Sequence, residues 1–256
     1  MKGLGKIKST SALSLLPTMV ALLFLCVGNA SASSIASGDA RLYWNTEGLT
    51  NLDAYYYDDY SYADVGGTYV EEWVINSEGA IPSTSAEMII GNSQAAALTN
   101  ESIVNANVYA QSDFEGDKFA SAFASRYSEF VVTGGEDVSL TISWELSLDI
   151  LSESVDGSAS IDVGYYVELW TEDDYDYDAR ERWYYRDVFG VDDLTKTIRG
   201  TTVFEFYGLE EGQSVFFAGS VYADGTAYEA VPIPATALLF CGSILGIIGV
   251  RRKMVH

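Results

Sequence analysis

The sequence predicts an all-β chain, an antiparallel β-sandwich of jelly-roll-like character, with one transmembrane helix at its C-terminal end. Two observations carry the sandwich. From Val138 to Ile150 the chain alternates without a break: Val138, Leu140, Ile142, Trp144, Leu146, Leu148 and Ile150 are apolar, and every residue between them is polar. Strict period two over that length is a strand with one buried and one wetted face. Elsewhere short alternating segments are punctuated by Gly-rich turn signals, with no amphipathic helix of ten or more residues, which is the pattern of a sandwich.

In chain order, strands are expected over Ala40–Asn45, Thr68–Asn76, Glu87–Gly91, Ile103–Ala110, Lys118–Thr133, Val138–Ile150, Ser160–Trp170, Arg182–Phe189, Thr201–Tyr207 and Ser214–Ala223. Turns are expected at Gly66-Gly67, Gly134 to Asp137, Asp156-Gly157, Glu210 to Gly212 and Asp224-Gly225. Within Lys118–Thr133, Phe119, Phe123, Tyr127 and Phe130 also fall at helix-like spacing, but the all-β surroundings favour a strand. The residues Phe119, Ala120, Ala122, Phe123, Ala124, Tyr127 and Phe130 suggest an interior in which small and aromatic side chains alternate.

Charge narrows the function. The chain has 256 residues and a formal net charge of −23, and all 37 carboxylates lie between Asp39 and Glu229. That window holds only 8 basic residues, a net of −29, which repels phosphate backbones and excludes nucleic acid as a default partner. With 48% apolar and 13% aromatic residues, the chain nevertheless has ample material for a core.

The two ends read as export signals. Residues 1–32 form a signal peptide: Lys2, Lys6 and Lys8 precede the apolar run Leu13–Val27, and Ala30-Ser31-Ala32 supplies small residues for cleavage before Ser33. Signal peptidase and the Sec export machinery are therefore expected partners. Cys26 follows Phe24-Leu25 rather than small residues, so it does not read as a lipidation site. Residues 33–225 are the expected ectodomain and 226–235 a tether ending in a sorting motif. Residues 236–250 are the expected membrane helix and 251–256 a basic cytoplasmic tail. The run Thr236–Val250 followed by Arg251, Arg252 and Lys253 is a stop-transfer pattern whose tail faces the cytoplasm.

The tail Val231-Pro232-Ile233-Pro234-Ala235, with its apolar helix and Arg-Arg-Lys end, resembles the PEP-CTERM sorting signal of Gram-negative bacteria. It is similar to the Val-Pro-x-Pro-Ala variant, with Ile233 at the position where the defining motif has Glu. The resemblance covers about 26 residues and does not extend to the ectodomain. It implies cleavage near Pro232–Ala235 by an exosortase-type transpeptidase, a cell-surface or extracellular destination, and an exopolysaccharide or biofilm setting.

Catalytic options are few. The one His is His256 and the two Cys are Cys26 and Cys241, so residues 33–225 contain neither. Ser-His-Asp and Cys-His catalysis and His- or Cys-ligated zinc or copper are thereby excluded from that segment. Carboxylate chemistry survives. Glu145, Glu168 and Glu205 lie in expected strands, and a pair facing one cleft would serve a glycoside hydrolase or lyase acting on exopolysaccharide. Glu145, however, falls at a wetted position of its strand, and no motif selects a pair.

Two binding chemistries remain. Thr171–Asp178 packs five carboxylates into eight residues, and Asp173, Asp174, Asp176 and Asp178 could present converging oxygens to Ca2+. The spacing does not fit a helix-loop-helix calcium loop, and Arg180, Arg182 and Arg186 follow closely enough to neutralise the cluster instead. Asp53, Asp58, Asp59 and Asp64 form a second acidic group woven among tyrosines. The second chemistry is carbohydrate. The 18 tyrosines cluster at 55–62, 165–166 and 175–185, and these, Tyr165 and Tyr185 foremost, could with Trp170 and Trp183 form stacking platforms for sugar rings, as in β-sandwich carbohydrate-binding modules. The competing account is structural, because Tyr suits half-buried strands. The expectation is a non-enzymatic, exported surface or matrix protein that binds polysaccharide or calcium.

Overall fold

A computed structural model describes residues 34–45, 52–76, 81–100, 102–112, 118–134, 138–152, 158–171, 180–185 and 194–228, with backbone alone at 44–45, 138–139, 152 and 180–185. The described residues form twelve strands: β1 (Ser34–Asn45), β2 (Leu52–Val65), β3 (Thr68–Asn76), β4 (Thr84–Ile90), β5 (Ser93–Asn100), β6 (Ile103–Gln111), β7 (Lys118–Val132), β8 (Val138–Ser152), β9 (Ser158–Thr171), β10 (Arg180–Tyr185), β11 (Leu194–Phe206) and β12 (Ser214–Tyr228). They build two six-stranded antiparallel sheets. Sheet A has the order β11-β8-β1-β6-β5-β4 and sheet B the order β10-β9-β12-β7-β2-β3. Strands β1, β5, β6 and β8 of sheet A pack against β2, β7, β9 and β12 of sheet B, so the chain is a β-sandwich. Strand order follows crossovers between sheets more than hairpins. The β2–β3 hairpin turns at Gly66 and Gly67 with φ of 61° and 84°, and a two-residue loop with both φ positive is what these residues permit without strain.

The alternation that predicts strands also determines which residues fill the space between the sheets. In β8 the apolar set Leu140 to Ile150 is buried, as expected. In β7 the expected mixture of small and aromatic interior residues is not found. Ala120, Ala122 and Ala124 point inward with Phe130, whereas Phe123 and Tyr127 sit on the opposite parity, and Phe119 is exposed. The interior is rich in small side chains throughout, including Ala36, Ala40, Ala95, Ala97, Ala106, Ala110 and Ala223. Close approach between sheets explains this. A Cβ at Gly38 of β1 would lie 2.6 Å from Ile161 of β9 and 2.7 Å from Val163.

Other expectations shift. Strand β12 runs on to Tyr228, so Asp224-Gly225 is not a turn and the strand takes in the start of the expected tether. Gly225 is there for packing: a Cβ at this position would stand 3.3 Å from both Ile161 and Val108. Two strands, β2 and β5, were not expected. The glycine-led turn at Glu210 to Gly212 does lie between β11 and β12, with Gly212 at φ 89°. The expected signal peptide, sorting motif, transmembrane helix and basic tail lie outside the described residues, and none of the described residues forms a helix long and apolar enough to cross a membrane.

Candidate functional site: an aromatic groove on the outer face of sheet B

Parity decides which side chains of sheet B face outward. In β2 the inward positions are Tyr57, Asp59, Ser61, Ala63 and Val65, leaving Tyr56, Asp58, Tyr60, Tyr62 and Asp64 outside. Pairing then lines up the neighbours. Trp73 of β3 stands opposite Tyr60, Tyr60 opposite Ser125 of β7, Ser125 opposite Ser220 of β12, and Ser220 opposite Tyr166 of β9. This row crosses four inter-strand spacings, roughly 19 Å. Its middle is made of small residues, Ser125 and Ser220 with Ala218 and Gly219, and its ends and flanks carry Trp73, Tyr60, Phe123, Tyr127 and Tyr166. The result is a groove of about 500 Å³ with a low floor and aromatic walls, within the size range of small-molecule sites.

The rings form a connected array. Tyr60 meets Phe123 at 6.1 Å between centroids, and Tyr62 stacks on Tyr69 at 5.7 Å. Tyr127 contacts Tyr56 at 5.9 Å and Trp170 at 5.8 Å, and Trp170 stacks on Phe216 at 5.4 Å with 18° between planes. Each of these separations lies in the range of favourable aromatic pairs. Trp73 is 64% exposed and Tyr69 58%, although large apolar groups normally seek the interior.

Carboxylates hold the rings. The Trp73 indole N–H donates to Asp58, Tyr166 Oη donates to Glu168, Tyr60 Oη donates to Glu71 at 2.9 Å and Tyr62 Oη to Asp64 at 3.0 Å. Partial burial, and then the hydrogen bond to Glu71, pushes the Tyr60 phenol up to about 12. Burial and then Asp64 raise Tyr62 in the same way, and burial and then the charge of Glu129 raise Tyr127. These phenols therefore stay protonated at neutral pH. At the far end of the face, Asp224 stands opposite Asp162 of β9, and burial raises its carboxyl despite a hydrogen bond from Ser121.

Beneath the groove lies a buried ion pair. Arg126 of β7 faces inward opposite Asp59 of β2, and both side chains are fully buried. Arg126 Nε donates to Asp59 Oδ1 at 2.8 Å and Nη2 to Oδ2 at 2.5 Å. Its remaining bonds reach the Asn100 carbonyl at 2.8 Å and the Pro82 carbonyl at 3.2 Å, and Thr99 Oγ1 donates to Asp59 Oδ2 at 2.8 Å. The pair ties sheet B to β5 of sheet A and to the crossover before β4, with each partner satisfied as a buried charge must be.

The residues named from sequence fare unequally. Tyr165 is 2% exposed and stacks on Trp144 at 5.2 Å, because its parity is inward; it is a core residue and offers no platform. Trp170 is on the outer face, next to the groove's Tyr127. Trp183 and Tyr185 fall on β10, whose side chains lie outside the described set, and Asp173, Asp174, Asp176 and Asp178 lie outside the described residues. The second acidic group does not converge: Asp59 points inward to Arg126, while Asp58 and Asp64 point outward to Trp73 and Tyr62. Among the described residues no group of three or more acidic, His or Cys side chains could hold a metal ion. Glu145 and Glu205 belong to the outer face of sheet A and Glu168 to that of sheet B. Glu145 and Glu205 are six residues apart along the ladder of β8 and β11, roughly 20 Å, beyond the spacing of a glycosidase pair.

Sequence reasoning singled out the tyrosine clusters that hold Tyr60 and Tyr166 but missed Trp73, Phe123 and Tyr127, and four strands, β2, β3, β7 and β9, bring these five rings together. The available signal was the period-two set Tyr56, Asp58, Tyr60, Tyr62 and Asp64. No protein-family model matches the chain, and a search of curated proteins found no significant match.

Proposed function

We propose that this chain is a non-enzymatic, exported protein of the cell surface or extracellular matrix that binds polysaccharide in the groove on the outer face of sheet B. One observation carries the binding reading: exposed aromatic rings, fixed by carboxylates, flank a small-residue floor. Sugar rings present flat apolar C–H faces and a rim of hydroxyls. Aromatic faces take the first, and the carboxylate and serine oxygens accept from the second.

The export reading rests on the sequence. Lys2, Lys6, Lys8 and the Ala30-Ser31-Ala32 site support Sec export and signal-peptidase cleavage. The Val231–Ala235 motif with the apolar segment 236–250 and Arg251-Arg252-Lys253 supports a single-pass precursor processed by an exosortase-type transpeptidase. A biofilm matrix is the setting in which such sorting and polysaccharide binding belong together.

The binding reading is tested by affinity electrophoresis of the purified protein through gels containing soluble neutral, amino and acidic polysaccharides. Retardation by at least one, lost in Tyr60→Ala/Trp73→Ala, is the expected result. Unretarded migration in every gel would end this reading. For sorting, Pro232→Ala/Pro234→Ala is expected to leave uncleaved precursor in the membrane fraction, and normal processing of that variant would contradict it.

A further inference from the structure

We infer that Tyr62 of β2 and Tyr69 of β3 form an oxidative modification site. One-electron oxidation by a peroxidase with hydrogen peroxide joins them as dityrosine, with Asp64 taking the Tyr62 phenol proton. The site lies beside the groove and stands whether or not the groove takes glycan. Its geometry comes from the Gly66-Gly67 turn. Tyr69 stands opposite Asp64 and Tyr62 opposite Glu71, so the two tyrosines are diagonal neighbours on the outer face of sheet B, a separation that aromatic side chains span. Their rings stack at 5.7 Å between centroids with 30° between planes. Tyr69 is 58% exposed on β3, the last described strand of the sheet, where an oxidant reaches it, and Tyr62 lies half-buried behind it. Asp64 is held on both oxygens: the Gly67 N–H donates to Oδ1 at 2.8 Å and Tyr62 Oη to Oδ2 at 3.0 Å.

A phenol loses its electron most readily when a base takes its proton in the same step, and a hydrogen bond to an ionised carboxylate is that arrangement. The negative charges of Asp64 and Glu71 beside Tyr62 also favour loss of an electron. Tyr69, the exposed ring, is oxidised first and gives its proton to water. It then takes an electron from Tyr62 and a proton back from water, while the Tyr62 proton moves to Asp64. A second oxidation of Tyr69 leaves two phenoxyl radicals face to face. Their spin sits on oxygen and on the ring carbons ortho and para to it. The para carbon carries Cβ, so one Cε of each ring forms the new C–C bond. The orbitals that form this bond stand perpendicular to the ring, and near-parallel rings aim them at each other. A second described pair, Tyr56 with Tyr127, crosses at 73° and does not. The two Cε protons then move to the phenol oxygens. Each ring has lost one hydrogen atom, and one H2O2 has been reduced to two waters.

The test exposes the purified full-length protein in detergent to a haem peroxidase and limiting hydrogen peroxide. The monomer band is digested after acidic residues, which separates Tyr62 from Tyr69 at Asp64. Linked peptides are then read by mass and by dityrosine fluorescence. The expected product is a peptide pair joined through Tyr62 and Tyr69, lighter than its parts by one hydrogen atom from each ring. Tyr62→Phe and Tyr69→Phe should each abolish it. Phenylalanine keeps the ring and its stacking, so the loss reports the missing phenol. Asp64→Asn should slow formation of the pair by about tenfold or more. Dityrosine confined to other tyrosines or to covalent dimers would overturn the inference, and so would survival of the linked pair in Tyr69→Phe. Coupling at the parental rate in Asp64→Asn would overturn the role given to Asp64.

Discussion

The outer faces of the two sheets share one architecture and differ in almost everything else. Sheet A presents mostly polar side chains bonded to one another: Arg41 Nη2 donates to Asp39 at 2.9 Å, Ser143 and Thr201 meet at 3.3 Å, and Thr195 donates to Asp149 at 2.6 Å. Both signs of charge occur there, with Arg41 and Arg199 standing on either side of Glu145 in register. Sheet B presents tyrosine, tryptophan and phenylalanine held by carboxylates. Strands of the same length form on both sides, so strand formation alone does not require the aromatics. On sheet A serine, threonine, asparagine and charged residues fill most outward positions, with Tyr43, Tyr109, Ile89 and Val203 standing singly among them. The aromatic excess of sheet B therefore goes beyond what strand formation needs, and the binding proposal is the account offered for it.

The interior that the two faces share should be the most costly place to disturb. Arg126→Ala removes the partner of a fully buried Asp59 and frees the carbonyls of Asn100 and Pro82. A loss of about 3–5 kcal/mol is expected in denaturant unfolding. The double variant Asp59→Leu/Arg126→Met should recover much of it, because the unpaired charge is gone. Gly38→Ala comes next: its methyl would meet Ile161 and Val163 of the opposite sheet below 3 Å. A loss of about 1–3 kcal/mol is expected, and an unchanged melting temperature would mean that the sheets are free to separate there.

Outer-face changes should cost less. Asp224 faces Asp162 and burial raises its carboxyl, so the protonated form is favoured in the folded protein. Stability from this group is full below its ordinary value of 3.8 and is lost as pH rises through the folded value. Asp224→Asn should accordingly raise the melting temperature at neutral pH and leave it nearly unchanged in acid. The smallest effect is expected at Tyr60. Its folded value of about 12 exceeds the ordinary 10.0, so its stabilising contribution is lost only as pH rises through that range. In an alkaline absorbance titration, Tyr60→Phe should remove a late-titrating tyrosine.

Much of the fold is legible because parity is a local property. The thirteen alternating residues of β8 need no partner to declare which face is buried. Strand β2 was illegible because its inward set, Tyr57, Asp59, Ser61, Ala63 and Val65, is no more apolar than its outward set. Asp59 belongs inside only because Arg126 stands opposite, 67 residues later in the chain. Strand β5 hides its parity in Ala95-Ala96-Ala97. In β7 an aromatic residue looks like core material, yet the close sheets admit Ala120, Ala122 and Ala124 and leave Phe123 and Tyr127 outside. The groove assembles residues from β2, β3, β7, β9 and β12, so it depends on strand order, and strand order is not written in any one segment.

The central claim is that the outer face of sheet B recognises glycan and that of sheet A does not. The most direct test compares Tyr60→Ala/Trp73→Ala with Tyr43→Ala/Tyr109→Ala, the latter pair being outward tyrosines of sheet A. Retention of both proteins in a gel containing a polysaccharide that retards the parent is measured beside their melting temperatures. The account predicts that both variants stay folded, that the sheet B variant loses about tenfold or more in affinity, and that the sheet A variant matches the parent. Equal losses in the two variants, or retention of the sheet B variant at parental strength, would contradict it.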